Sequence, residues 1–213
     1  MLTVHHLGKS QSERIVWLCE ELGIPYELKI YDRDKVTRLA PPEYKALHPL
    51  GAAPVINDGD VLMAESGAIV EYIAAKYGKG RLVLAADHPD FAQFVYWFHF
   101  ANGTLQPTTG RNMILGRLNL GEDNALMRAM KGRLDLALGL LEARLATVEY
   151  LAGRELTTAD IMLVFTLTTM RLSYAFDLKR YPAILAYLQR IGGRPAYQRA
   201  MKKGDPDMTP LLT

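Results

Sequence analysis

Apolar and polar positions change period along the chain. Leu2-Thr3-Val4-His5-His6-Leu7 is a short alternating run closed by Gly8, and Tyr26-Glu27-Leu28-Lys29-Ile30-Tyr31 alternates again, so both read as strands. Between them Ile15, Leu18, Cys19 and Leu22 recur at helical spacing, and Gly23 with Pro25 ends that helix. Pro54 to Asn57 and Asp60 to Ala64, joined by Asp58-Gly59, predict a hairpin with a two-residue turn. Ile69, Val70, Ile73 and Ala74 form the inner stripe of a helix ending near Gly78. The order βαβ, then ββα, implies a parallel pair joined by a right-handed crossover, with an antiparallel edge added.

The rest of the chain shows helical spacing only. Phe91, Phe94, Val95 and Phe98 mark one amphipathic helix, and Leu134, Leu138, Leu141, Leu145 and Val148 a second. Ile161, Val164, Phe165 and Thr168 mark a third, apolar almost all round and therefore expected to be buried. Ile184, Leu185, Leu188 and Ile191 mark a fourth, opened by Pro182 and stopped by Gly192-Gly193. Gly103, Pro107 and Gly110 predict a break or bend. Gly, Asp and Pro collect between Gly78 and Pro89, which divides the chain into an α/β domain over 1–80 and an all-helical domain over 88–213.

Composition narrows the class without naming the chemistry. In 213 residues, 25 Lys+Arg against 23 Asp+Glu give a net charge of +2, too small and too dispersed for a nucleic-acid partner. The window Ile161–Met170 is about half of the ~20 residues that span a bilayer, and the first residues carry His5 and His6 in place of a long apolar run, so neither a membrane segment nor a signal peptide is expected. A single cysteine, Cys19, excludes a disulfide framework and a C-x-x-C motif and fits a reducing cytoplasm; on the apolar helix face it reads as buried and structural. The five histidines lack metal-ligand spacing, and adjacent His5 and His6 point to opposite faces of their strand, so no metal is expected.

Three places offer chemistry. Ser10 stands between the first strand and the first helix, where unpaired N–H groups and the helix dipole favour an anion. Taken alone, Ser10 or Ser12 reads first as a helix cap, with a hydroxyl donor to a thiolate as the alternative. Ala53-Pro54 leads into the hairpin; a cis bond there would turn the Ala53 backbone outward to pair with an extended peptide, although trans is the default. Glu65-Ser66 lies between a strand and a helix, a place that suits a carboxylate as well as a cap.

Together with their surroundings these stretches resemble the cytosolic glutathione transferases. The matching segments are Ser10-Gln11-Ser12-Glu13-Arg14, Leu22-Gly23-Ile24-Pro25-Tyr26-Glu27, Pro49-Leu50-Gly51-Ala52-Ala53-Pro54-Val55, Glu65-Ser66-Gly67-Ala68-Ile69, and Gly153 with Thr157-Thr158-Ala159-Asp160-Ile161. The last is a Thr-x-x-Asp capping box of the kind that opens the family's buried helix. The resemblance runs the whole length in order. It implies a thioredoxin-like first domain, a helical second domain, a cytoplasmic homodimer, and glutathione as co-substrate with a small hydrophobic electrophile. It further implies Ser10 as the thiolate-stabilising hydroxyl of a serine-type, theta- or delta-like or related bacterial or fungal class, Ala53 beside Pro54 as the backbone partner of the cysteinyl part, and Glu65 with Ser66 as the holders of the γ-glutamyl end.

Departures from the family pattern shape these expectations. His5 and His6 stand where tyrosine-type members carry their Tyr, and Gln11 stands where cysteine-type members carry a nucleophile. Ala52 and His48 leave open what meets the glycine carboxylate, for which Lys35 and Arg38 are the candidates. Tyr96, Phe100, Thr104, Arg111 and Met113 are candidates for the electrophile pocket, although an aromatic stripe is more often core. The expected activity is glutathione transfer for detoxification. The rivals are a glutathione-dependent isomerase, dehalogenase or peroxidase, or a non-catalytic glutathione-binding regulator on the same scaffold.

Overall fold

The structure, a computed structural model, describes residues 1–118, 120–121 and 123–213. In chain order its elements are β1 (Leu2–Leu7), α1 (Glu13–Leu22), β2 (Glu27–Tyr31), α2 (Pro42–Lys45), β3 (Val55–Asp58), β4 (Val61–Ala64), α3 (Ser66–Tyr77), α4 (Phe91–Phe100), α5 (Gln106–Gly116), α6 (Ala125–Leu145), α7 (Thr158–Leu167), α8 (Pro182–Gly192) and α9 (Pro195–Gly204). A π-helical turn, Ala101–Leu105, connects α4 to α5. The chain forms two compact units, one of residues 1–83 with 192–210, the other of 84–191 with 211–213.

The first unit is built on a four-stranded sheet in the order β2-β1-β3-β4. β1 runs parallel to β2 and antiparallel to β3, and β3 and β4 are antiparallel, which is the thioredoxin-like arrangement that βαβ followed by ββα implies. All six residues of β1 are buried, since a central strand covered on both faces has no solvent side. α1 ends where Gly23 takes a left-handed φ of 61°, a conformation glycine reaches without a Cβ penalty.

The hairpin differs from expectation by one position. Asp58 pairs with Val61, so the two loop residues are Gly59 and Asp60, with positive φ at Gly59, the place where a type II′ turn needs it. The cause lies in α3. Tyr72 Oη, Lys76 Nζ and Tyr77 Oη all donate to Asp58 Oδ2, at 2.9, 2.7 and 2.6 Å, and hold Asp58 at the strand end. These contacts draw the Asp58 carboxyl down to about 2.

The domain expected over 88–213 is cut shorter by the C-terminal arm. α9 packs on α1 in the first unit: Trp17 and Tyr197 meet edge to face at 5.0 Å, Arg194 pairs with Glu21, and Arg199 and Lys203 both pair with buried Glu20. Lys203 is thus an ion-pair partner of the first unit's buried Glu20.

The second unit is helical, and among the described residues no strand follows Ala64. Every residue of α7 is buried, as its apolar circumference implied. The expected break at Gly103 and Pro107 is instead the π turn. It keeps the helical path from α4 into α5 and places Pro107 in the first turn of α5, where a missing N–H costs nothing. α6 stops at Leu145, so Val148 falls outside it.

Candidate active site

The site grows from the turn between β1 and α1. Ser12 opens α1 without using its side chain as a cap. Its hydroxyl reaches back to the strand end, accepting from the Leu7 N–H at 3.1 Å and lying 2.9 Å from His6 Nδ1 and 2.8 Å from Ser10 Oγ. The Ser12 N–H in turn donates to Ser10 Oγ at 3.2 Å. Ser10 thus accepts the N–H at the helix start, and Ser12 ties the helix to β1. Ser12 and His6 are wholly inaccessible, whereas Ser10 keeps 5% of its surface exposed. His6 Nε2 lies 3.1 Å from Asp205 Oδ2, and the other oxygen of Asp205 accepts the Lys9 N–H at 2.8 Å.

Two residues link this turn to the other candidate stretches. Gln11 Nε2 donates to the Ala53 carbonyl at 2.9 Å. Arg14, fully buried, donates through Nη1 to Gln11 Oε1 at 2.9 Å and to Ser66 Oγ at 3.0 Å. Burial pushes the Arg14 pKa down to about 9, which leaves it cationic at neutral pH. Ser10, Ala53 and Ser66, which lie in three separate stretches of the chain, are thereby joined through their neighbours.

The Ala53–Pro54 bond is cis. The Ala53 carbonyl is occupied by Gln11, while its N–H has no partner among the described residues. Glu65 is exposed and held at φ 70°, ψ 111°, a sparsely populated conformation for a non-glycine residue that turns the chain into α3. Ser66 is buried with its hydroxyl on Arg14, so its side chain is an inner support, and the N-terminal N–H groups of α3 are what the junction offers outward.

Beside Gly8 and Lys9 lies a cavity of about 350 Å³ whose lining includes Lys9, Arg33, Lys35, Arg38 and Asp205. Lys35 and Arg38 both line it, and Arg33 Nε donates to the Gly8 carbonyl at 2.8 Å. In the second unit, Tyr96 is 51% exposed and stacks on buried Phe100 at 5.9 Å, while Thr104 and Arg111 are exposed and Met113 is half-buried. Two cavities there, of about 770 and 570 Å³, are lined by other residues, the larger by His88, Asp90, Arg144, Arg154 and Arg190 among them. Cys19 is buried, and its surroundings push the thiol's pKa up and away from reactivity.

Sequence reasoning passed over His6, Gln11, Arg14 and Asp205. In the sequence Gln11 stands out only as a residue that is not a cysteine, and Arg14 only as the end of a matching segment. For His6 the available signal was a histidine inside a buried strand, which must find partners for both ring nitrogens. Asp205 gives no local signal, since its partner lies 199 positions away.

Comparison with known proteins matches residues 1–75 to the glutathione S-transferase N-terminal domain and 124–190 to the glutathione S-transferase C-terminal domain. Glutathione S-transferase 3 of Schizosaccharomyces pombe is 31% identical, with 100% of this chain and 92% of that protein covered. Glutathione S-transferase 1 of Saccharomyces cerevisiae is 27% identical, covering 95% of each. Among solved structures, a glutathione S-transferase of Actinobacillus pleuropneumoniae superposes with a TM-score of 0.88 at 34% identity, over 96% of this chain and 93% of that one. A glutathione transferase of Phanerochaete chrysosporium, crystallised with oxidised glutathione, gives 0.74 at 25% identity, over 95% and 94%.

Proposed function

The chain belongs to the glutathione S-transferase family, and from that premise we propose that Ser10 holds glutathione as its thiolate for attack on a small apolar electrophile. The observation that carries this reading is the placement of Ser10: it is the less buried end of a hydroxyl pair at the start of α1, where the helix dipole favours an anion. Gln11 and Arg14 support the same reading, because they fix Ala53 and Ser66 relative to that turn.

On this reading the free Ala53 N–H pairs with the cysteinyl backbone of glutathione. The start of α3 receives the γ-glutamyl carboxylate, with Glu65 beside it to meet the ammonium. Lys35 and Arg38, in the cavity that Asp32, Asp205 and Asp207 also line, meet the glycine carboxylate. Catalysis then needs a lowered thiol pKa and a neighbouring electrophile, without a covalent enzyme intermediate. The enzyme works as a homodimer, which sedimentation would reject by giving the mass of one chain at micromolar concentration.

The test is the ultraviolet thiolate absorbance of the glutathione complex against pH. A hydrogen bond to a charged group is worth about 1.5–3 kcal/mol, so Ser10→Ala should raise the bound thiol's pKa by about one to two units. Turnover of an activated aryl chloride near neutral pH should fall about tenfold or more, while glutathione affinity changes less. An unchanged titration would remove Ser10 from the mechanism and leave the helix N–H groups as the stabilisers. Retention on immobilised glutathione with no turnover of any electrophile would favour a binding protein.

A further inference from the structure

The hydroxyl pair does not end at Ser12. Asp205, His6, Ser12 and Ser10 form one unbroken hydrogen-bonded file of 3.1, 2.9 and 2.8 Å, in which an inaccessible imidazole and an inaccessible hydroxyl lie between two ends, Asp205 and Ser10, that each keep a few per cent of their surface exposed. Each hydroxyl has one proton to give, so the file has two consistent states. Asp205 Oδ2 can only accept, which puts the proton of a neutral His6 on Nε2 and leaves Nδ1 as an acceptor. Ser12 then donates to Nδ1 at 2.9 Å in preference to its longer contact with the Leu7 carbonyl at 3.3 Å, and Ser10 donates to Ser12, whose Oγ also accepts the Leu7 N–H. In this state Ser10 turns its lone pairs outward: it can accept from a thiol but not donate to a thiolate. With His6 as imidazolium every direction reverses, Nδ1–H donates to Ser12, Ser12 donates to Ser10, and the Ser10 proton points outward.

We infer that His6, backed by Asp205, takes up the proton that the thiol of bound glutathione releases, passed along through Ser10 and Ser12. The S–H bond breaks and its proton moves to Ser10 Oγ. The former Ser10 proton moves to Ser12 Oγ, and the former Ser12 proton to His6 Nδ1. The products are a thiolate and an imidazolium, the Asp205 carboxylate is unchanged, and Ser10 now donates to the sulfur that gave it its proton. After the thioether forms, the stored proton returns along the file to solvent. His6, Ser12 and Asp205 are positioning residues here, because only Ser10 touches the substrate.

The surroundings suit a charge that is made and lost. Asp205 is held by the Lys9 N–H and interacts with the Arg33 guanidinium, Glu13 and Arg14 occupy the first turn of α1, and at the end of α9 Lys203 is engaged by Glu20. Gly204 packs directly on the imidazole, where a Cβ would come within 3.0 Å of Nε2, so the ring is fixed in place.

The inference rests on Ser10 being the thiolate partner, and the experiment separates the two. Wild-type protein is mixed with glutathione in weak buffer at about pH 7.5, above the ordinary imidazole pKa of about 6.5. Thiolate is read by ultraviolet absorbance and released protons by an indicator dye, with S-methylglutathione subtracting protons linked to binding the rest of the tripeptide. A relay predicts thiolate formation with far less than one proton released per site; one proton per thiolate overturns it. His6→Asn keeps an acceptor near Nδ1 but cannot hold the proton. It should restore release toward one, raise the bound thiol's pKa by about one unit, and lower turnover about tenfold below that pKa with recovery above it. A purely structural role would lower stability and leave the titration in place. A shift in Ser10→Ala with none in His6→Asn or Ser12→Ala overturns the relay and keeps Ser10, whereas no shift in Ser10→Ala overturns both.

Discussion

The helices α7 and α1 both begin at hydroxyl residues, and they use them in opposite ways. At the start of α7, Thr157 and Asp160 form a reciprocal capping box in which Asp160 accepts from the Thr157 N–H at 2.8 Å, the Leu151 N–H at 2.9 Å and Tyr187 Oη at 3.0 Å. Every bond points inward, and the carboxylate ends among backbone groups. At the start of α1, neither serine closes the box. Their hydroxyls run from a histidine toward the surface, and the last one is left with a direction to choose. The same residue chemistry makes a lock in one place and a site in the other; the difference is whether the file of hydrogen bonds closes on backbone or opens on solvent.

Cutting the lock should give the largest loss of stability. Asp160→Ala leaves two buried N–H groups and the Tyr187 hydroxyl without their acceptor, which should cost at least about 3 kcal/mol in urea unfolding. A variant as stable as wild type would show that the box is dispensable. At the open end the effect should move from stability to kinetics. Arg14→Met keeps the bulk but releases Gln11 and Ser66, and should raise the KM for glutathione about tenfold, equivalent to about 1.4 kcal/mol. A change confined to kcat would separate Arg14 from binding. Ser12→Ala strands the Leu7 N–H and should cost about 1–2 kcal/mol, an intermediate case because Ser12 belongs to both strand and site.

A smaller effect concerns pH and lies outside both helix starts. The Asp58 carboxyl sits at about 2 in the folded protein, below its ordinary value of 3.8. A lowered carboxyl pKa contributes stability that is present above the unfolded value and lost as pH falls through the folded one. Asp58→Asn should therefore melt below wild type at pH 7, and the two curves should converge between about pH 4 and pH 2. Curves that stay parallel would remove Asp58 from the acid response.

What the sequence disclosed follows the same division. Period and punctuation were enough for the parallel pair with its antiparallel edge, for α7 as the buried helix and for Gly23 as a stop, because each depends on neighbours within a few positions. The hairpin register slipped by one because the grip of α3 on Asp58 is a side-chain contact 14 to 19 positions away. In the site, Ser10, Ala53 and Ser66 were legible as punctuation at element junctions. What connects them was not: Gln11 and Arg14 have no periodic role, and Asp205 reaches His6 only after the whole fold has formed.

The position of α9 has a consequence for how the protein is born. The unit made first on the ribosome is completed by residues made 179 to 199 positions later: Glu20 waits for Arg199 and Lys203, His6 for Asp205, and Trp17 likewise for Tyr197. Until those residues emerge, the nascent sheet keeps an unsheltered face on α1 and an unpaired histidine in its central strand. Such long sequence separations slow folding and prolong exposure to aggregation. A chain truncated after α8 should therefore depend on chaperones to stay in solution. The late arrival of Asp205 thus acts as a check, withholding the buried file behind Ser10 until that residue has emerged.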